Sequence, residues 1–454
     1  MAYKSKRGRK PMELASKTNH SYIIKQPIVQ EFLNSCIIPK LPSLNTIAPQ
    51  LVPVAEPIED KIKIIITIDG GLTPVSIQEK YPSSSYTFYN FGGLLFSVED
   101  LQSLHEQPFI DPEDMSKLRN IQRFPFVLPT TNICLKNCTS LVESVRWSVF
   151  DFFTKSHDGE KPFLFALRWL LFQEYDPSVK DSTWVLASCP NCGSPKVQIQ
   201  SHTPDQFDCS VCQKTIYLTD VFRLHEAIDN QLGAGGILGY LTALLEQMLL
   251  VHLIKTVWEL KKTMLSEILF VRDGPLAFFG QTANMHLPMR RLMNYLATRP
   301  APDGQGTINM INLVGVEKSG TFVEHADAIQ DSIKPGHALI LNNDYIYEYI
   351  TPGEGNKTEP FGKTSYYGHK VIFKANDENV YVLTLPTLAP MMNPKQDDLG
   401  NFNLILHNIS KLKCHMYENA LIPVALVNKL VSLSDHPSSK ILTAFAKSQM
   451  KHHQ

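Results

Sequence analysis

Two runs in this 454-residue chain are so apolar and β-branched that they read as central strands, and both stop at the same dipeptide. Lys61-Ile-Lys-Ile-Ile-Ile-Thr-Ile-Asp-Gly-Gly71 ends on Asp69-Gly70, and Glu267-Ile-Leu-Phe-Val-Arg-Asp-Gly274 ends on Asp273-Gly274. Runs without polar alternation belong to strands covered on both faces, which require helices on both sides of one sheet. Helical spacing is predicted at 141–154, 162–174, 221–263 and 421–433. Further strands are predicted at 86–98, 124–128, 307–316, 337–350, 368–374 and 379–385, with Pro/Gly-rich turns at 299–306 and 352–362. The fold class is therefore α/β.

Each aspartate is expected at the carboxyl end of its strand, where sheet-based active sites collect. The following glycine lets a metal or phosphate approach the backbone. Two strand-end carboxylates side by side repel, and a divalent cation between them relieves that repulsion. The competing reading of each Asp-Gly is a β-turn.

A third carboxylate comes from the helix that spans 241–263. Glu246 shares a face with Leu249, Leu250 and Leu253, where an unpaired charge costs several kcal/mol, so it is either functional or at the rim of a groove. Glu259, beside Lys255 and Lys262, is accounted for by solvated ion pairs. Lys318, in Gly315-Val-Glu-Lys318 after the 307–316 strand, suits holding a phosphate beside acidic metal ligands, or is a surface lysine in a turn.

Four of the eight cysteines form Cys189-Pro-Asn-Cys192 and Cys209-Ser-Val-Cys212, two CxxC knuckles sixteen residues apart. This spacing predicts a structural Zn2+ held by four thiolates, on a small ribbon with strands at 196–200 and 215–218. Four protein ligands leave no open position, so the role assigned is folding of an insertion. Cys134 and Cys138 have helix spacing and read as buried thiols.

Lys+Arg total 43 and Asp+Glu 44, a net charge of −1 that excludes a protein coating nucleic acid by bulk charge. The first ten residues nevertheless carry Lys4, Lys6, Arg7, Arg9 and Lys10, a solvated tail or an arm that tracks phosphates. No apolar core follows them, so no signal peptide is expected. The most apolar stretch, 241–260, is interrupted by Glu246, His252, Lys255 and Glu259 and reads as a core helix. No membrane association is expected, and the predicted location is cytoplasmic. The division expected is a basic, Pro-rich arm at 1–57 in extended form, a core at 58–183 and 221–433, a zinc ribbon at 184–220, and a polar tail at 434–454.

Taken together, Ile68-Asp-Gly-Gly71, a long helix with an embedded glutamate, Val271-Arg-Asp-Gly-Pro-Leu276, Gly315-Val-Glu-Lys318 and a proline-led C-terminal helix resemble the NurA nucleases over about 60–430, outside the ribbon. Asp273 to Leu276 carries the most specific match, and Gly71 stands where that family commonly has serine. The resemblance implies an RNase H-like sheet flanked by helices and Mn2+- or Mg2+-dependent action on DNA ends. It also implies a homodimer and a HerA-type hexameric ATPase as partner, in end processing or anti-phage defence. It makes Asp69, Asp273 and Glu246 the metal ligands and Lys318 the active-site lysine. The family's last motif offers a histidine on the C-terminal helix, and Asn428 occupies that slot here, with His436 two turns further on. Asparagine can bind a phosphate or a metal-bound water but cannot act as a general base. An alternative is thus a catalytically reduced adaptor that binds DNA or docks on the ATPase through the ribbon and the basic arm. A small-molecule phosphohydrolase is a third reading, which lacks a compact phosphate loop.

Overall fold

The structure, a computed structural model, describes residues 19–77, 83–99, 119–120, 123–156, 161–301, 304–352, 358–414, 419–433 and 438–451. The basic residues Lys4 to Lys10, and His436, lie outside the described residues.

The leader differs from the extended arm predicted. It forms helices α1 (Asn19–Ile24), α2 (Pro27–Ser35) and α3 (Leu44–Ile47) before β1 (Leu51–Pro53) joins the sheet edge. Pro27 opens α2 at its first turn, where a missing N–H costs nothing. The sheet continues with β2 (Ile64–Ser76), β3 (Ser85–Ser97), β4 (Arg119–Asn120) and β5 (Phe124–Thr131). Helices α4 (Leu141–Thr154) and α5 (Pro162–Leu171) follow, then the ribbon strands β6 (Thr183–Ser188), β7 (Pro195–Gln200), β8 (Gln206–Asp208) and β9 (Thr215–Tyr217). The predicted helix at 221–263 begins as short 3-10 turns and becomes α-helical only as α6 (Leu238–Lys261), which leads into β10 (Ile268–Asp273).

Beyond it lie α7 (His286–Ala297), β11 (Arg299–Pro300), β12 (Thr307–Ile308), β13 (Asn312–Glu317), α8 (Thr321–Ile329), β14 (His337–Ile340) and α9 (Asn343–Tyr349). The chain finishes with β15 (Gly368–Lys374), β16 (Val380–Pro386), α10 (Phe402–Ser410), α11 (Ile422–Val431) and α12 (Ser438–Lys451). Three expectations are corrected here. The strand at 307–316 is two pieces, because the Asn309 side chain accepts from Ile311 N at 3.0 Å and turns the chain. The strand at 337–350 stops at Ile340, because Asn342 caps a helix by accepting from Tyr345 N at 2.8 Å. The polar tail contains α12.

Ten strands make one mixed sheet, ordered β1-β14-β15-β16-β13-β10-β2-β3-β4, with β5 also paired to β3. Only β2, β10 and β13 run parallel to one another; their neighbours are antiparallel. An antiparallel β5-β3-β2 meander continued by parallel β10 and β13 is an RNase H-like sheet. Its two faces are separate cores. Ile66, Ile68, Ile268 and Phe270 pack with α4 to α7 on one face. Ile65, Leu269, Val271 and Val314 pack with α10 and α11 on the other.

Among the described residues one helical stretch, Gly235–Glu267, is long and apolar enough to cross a membrane, and 61% of its apolar window is buried within the fold. A helix apolar nearly all round is what a core position requires.

Candidate active site

Neither Asp69 nor Gly70 makes a turn, which corrects the expected strand end. β2 runs on to Ser76, held by β3 along its whole length, from Ile64 opposite Ser97 to Ser76 opposite Ser85. It is the parallel neighbour that stops: β10 pairs with β2 only as far as Arg272 opposite Ile68. Asp69 and Asp273 thus occupy the first positions past that pairing, on strands about 4.8 Å apart and pointing to the same face. Beyond them the sheet opens between β2 and β13.

Asp69 is 4% exposed. Its Oδ1 accepts from Gly70 N at 2.7 Å and its Oδ2 from Asn428 Nδ2 at 3.0 Å. Burial, with the charge of Asp273 added, pushes Asp69 up to about 6, against the pull of Lys318. Asp273 Oδ2 accepts from Lys318 Nζ at 2.7 Å. Gly274 then turns the chain at φ +100°, with its N–H on the carbonyl of Val316 at 2.7 Å.

Glu246 approaches from the other face of the sheet. Alternation along β10 sends Arg272 to the α6 side with Phe270, and there Arg272 Nη2 donates to Glu246 Oε2 at 2.7 Å. Both side chains are under 10% exposed. Burial drives the Glu246 carboxyl upward, Arg272 pulls it back, and the two aspartates add to the push. The same guanidinium also donates to the carbonyl of Pro275. Glu246 Oε1 lies against Gly70, where a Cβ would stand 3.0 Å from it. A glycine at 70 therefore lets the helix carboxylate reach past the strand toward the aspartates.

These groups line one open cavity of about 480 Å³, together with Lys318 and Glu317. Glu317 is anchored by the buried Lys370, whose Nζ donates to its Oε1 at 2.5 Å. Arg272, Glu317 and Lys370 were not singled out from the sequence. A usable signal was present for Arg272: a charge inside a strand buried on both faces must find a partner on an adjacent helix.

The donor set is all oxygen, which suits hard cations such as Mn2+ and Mg2+. Among the described residues, however, the four ribbon cysteines are the only group of three or more possible ligand atoms drawn within 4.8 Å of one another. The three carboxylates converge less tightly, since Glu246 is tied to Arg272 and Asp273 to Lys318.

In the ribbon, Cys189 and Cys212 Sγ are 4.0 Å apart, and Cys192 and Cys209 Sγ 3.9 Å. A tetrahedral ion with metal–sulfur bonds of about 2.3 Å needs sulfurs about 3.8 Å apart, so these two spacings, with all four sulfurs within 4.8 Å of one another, are compatible with Zn2+. Asn191 N and Val211 N each point at a knuckle sulfur at 3.4 Å. Arg146 of α4 pins the ribbon to the core. It donates to both Asp220 oxygens at 2.8 and 2.7 Å, to Asn191 Oδ1 at 3.0 Å and to Thr215 O at 2.9 Å. Cys134 and Cys138, expected on a helix and buried, lie instead in the loop before α4, exposed and half-buried. Cys134 Sγ donates to Cys138 O there at 2.9 Å, because Ser140 starts the helix only after them.

No protein-family model matches this chain, and no curated protein matches it in sequence. Two solved structures align along nearly its whole length. The NurA nuclease from Sulfolobus solfataricus is 8% identical with a TM-score of 0.33, over 97% of this chain and 96% of that one. A NurA structure with manganese is 12% identical with a TM-score of 0.29, over 94% of this chain and 97% of that one.

Proposed function

We propose that the protein is a metal-dependent DNA nuclease of the NurA type. The observation that carries this reading is the placement of Asp69 and Asp273 on adjacent parallel strands, facing one way, at the point where the sheet opens. Asp69 and Asp273 would hold Mn2+ or Mg2+ through their carboxylate oxygens, with Glu246 Oε1 presented past Gly70. A bound divalent ion supplies a polarised water and neutralises charge on the phosphate. Lys318 moves between Asp273 and the phosphate as an electrostatic partner. Asn428 fixes the orientation of Asp69 by its hydrogen bond and takes no proton.

The substrate in this reading is DNA, with the basic residues Lys4, Lys6, Arg7, Arg9 and Lys10 adding phosphate contacts. Cys189, Cys192, Cys209 and Cys212 hold a structural Zn2+. The sequence resemblance further assigns a homodimer and a HerA-type hexameric ATPase as partner, in DNA end processing or defence against phage. In this reading the nuclease core is 58–183 with 221–433, and the zinc ribbon is inserted at 184–220.

The test is cleavage of labelled single- and double-stranded DNA with Mn2+. The wild-type chain should cut, while Asp69→Ala and Asp273→Ala should bind DNA and leave it intact. Cleavage that persists in both variants overturns the assignment, and a wild-type chain that binds DNA without ever cutting it favours the adaptor reading.

A further inference from the structure

A second cavity, of about 530 Å³, opens beside the carboxylate site. The two share Glu317 and Lys318 as a common wall. Asn428 lines the second cavity and reaches the first through its amide, which donates to Asp69 at 3.0 Å. The two cavities are therefore contiguous, so one nucleotide can reach from one into the other.

The second cavity lies between α8 and α11, over β16. Its walls are half aliphatic and half polar: Val323 and Ala326 from α8, Val380 and Val382 from β16 and Ala425 from α11 stand with Glu317, Asp327, Asn419 and Asn428. Its polar groups come from the end of β13, from α8 and from α11. Asn419 is fixed by accepting from Val380 N at 3.0 Å and by a 3.4 Å bond to Asp327. Lys318 and Lys429 stand at the lining nearest the carboxylates and along α11. A cleft within the roughly 300–1,000 Å³ range of ligand sites, with aliphatic side chains to cover a ring's faces and the Asn419 and Asn428 amides to meet its edge, suits a flat, partly polar ring. Lys318 and Lys429 beside it suit phosphates, while of the two carboxylates in the lining Glu317 is neutralised by Lys370 and Asp327 accepts from Asn419.

We infer that this cavity takes one unstacked nucleobase, that of the nucleotide whose phosphate lies at Asp69 and Asp273. The inference rests on the nuclease reading for the identity of that phosphate, and on the cavity alone for the base. Extracting a base costs a few kcal/mol of stacking and pairing, least at a frayed end or in a single strand. The pocket therefore favours unpaired nucleotides and sets the strand's register over the carboxylates.

The probe is a single-stranded oligonucleotide in which every adenine is replaced by 2-aminopurine, bound to the full chain with Ca2+ in place of Mn2+. Its emission is quenched by stacking, so transfer of one base into this pocket should raise the emission several-fold on binding. Ala425→Leu and Ala326→Leu, which fill the pocket from two different helices, should abolish most of that rise while anisotropy still reports a bound strand. Binding by the wild-type chain with unchanged emission overturns the pocket, as does an undiminished rise in both filled variants. A rise without any Mn2+-dependent cleavage keeps the pocket and removes the nuclease reading. Cleavage without a rise does the reverse.

Discussion

Arg272 donates to Glu246 at 2.7 Å on one face of the sheet, while the next residue, Asp273, points to the other face beside Asp69. One dipeptide thus serves both sides of the site. Removing one partner of a buried ion pair strands the other charge, at a cost of about 3–5 kcal/mol, whereas an apolar replacement of both is close to neutral. Arg272→Met should accordingly lose about that much in urea denaturation, and Arg272→Met with Glu246→Leu should recover most of it. A double variant as unstable as the sum of the two singles would show that the pair is not coupled.

Asp69 is ordinarily an acid of 3.8 and is raised here to about 6 by burial and by Asp273. Between these values the folded chain keeps a proton that the unfolded chain releases, so this group makes stability fall as pH rises through the window, and the deficit persists above it. Asp69→Asn removes the penalty. In EDTA it should stabilise the protein by about 1–3 kcal/mol at pH 8 and by little at pH 4. Thermal melts at the two pH values decide this, and an equal shift at both would refute it. Because a proton competes with a cation for Asp69, Mn2+ affinity of the wild type, read by calorimetry, should weaken as pH falls below about 6.

The four-thiolate site should bring about one zinc per chain through purification, measured by elemental analysis. Cobalt in its place should give the charge-transfer bands of a tetrahedral S4 centre. Cys189→Ser and Cys209→Ser should each lose the metal. Arg146→Ala, which leaves buried Asp220 without its bidentate partner, should cost about 3–5 kcal/mol while the zinc count stays unchanged. Loss of zinc in Arg146→Ala would mean that the knuckle geometry depends on the guanidinium.

Gly315 faces the turn after β10 so closely that a Cβ there would lie 2.5 Å from Gly274 O and 2.9 Å from Leu276 N. Both are backbone atoms and have no rotamer to adopt. Gly315→Ala should therefore destabilise by roughly 1–3 kcal/mol and also displace Asp273. The measurements are denaturation and Mn2+ binding together, and a variant that loses stability but binds Mn2+ normally would place the turn outside the site.

The central strands were legible because a β-branched run without alternation has few other fates, and that alone put Asp69 and Asp273 near each other. What the run could not reveal is that β2 outlasts β10. The point where the sheet opens is set by where β10 leaves β2, a pairing between residues about 200 apart in sequence and so a long-range property. The leader helices are hidden in the sequence because prolines such as Pro39, Pro42, Pro49 and Pro53 suggest extension, although Pro27 is also a good first residue of a helix. Helix α7 had a readable stripe at Met289, Leu292, Met293 and Leu296, all buried. The Arg272–Glu246 pair spans 26 residues and two elements, so only the rule that buried charges need partners pointed to it.

The bond from Asn428 to Asp69 joins residues 359 apart in sequence. A chain emerging from the ribosome carries Asp69 long before α11 exists, so this carboxylate waits for 359 further residues before the group that orients it is made. Contacts of such separation also form late, because loop closure must precede them. The carboxylate site is in this sense a timer: it becomes complete only when α11 has been made and has met β2.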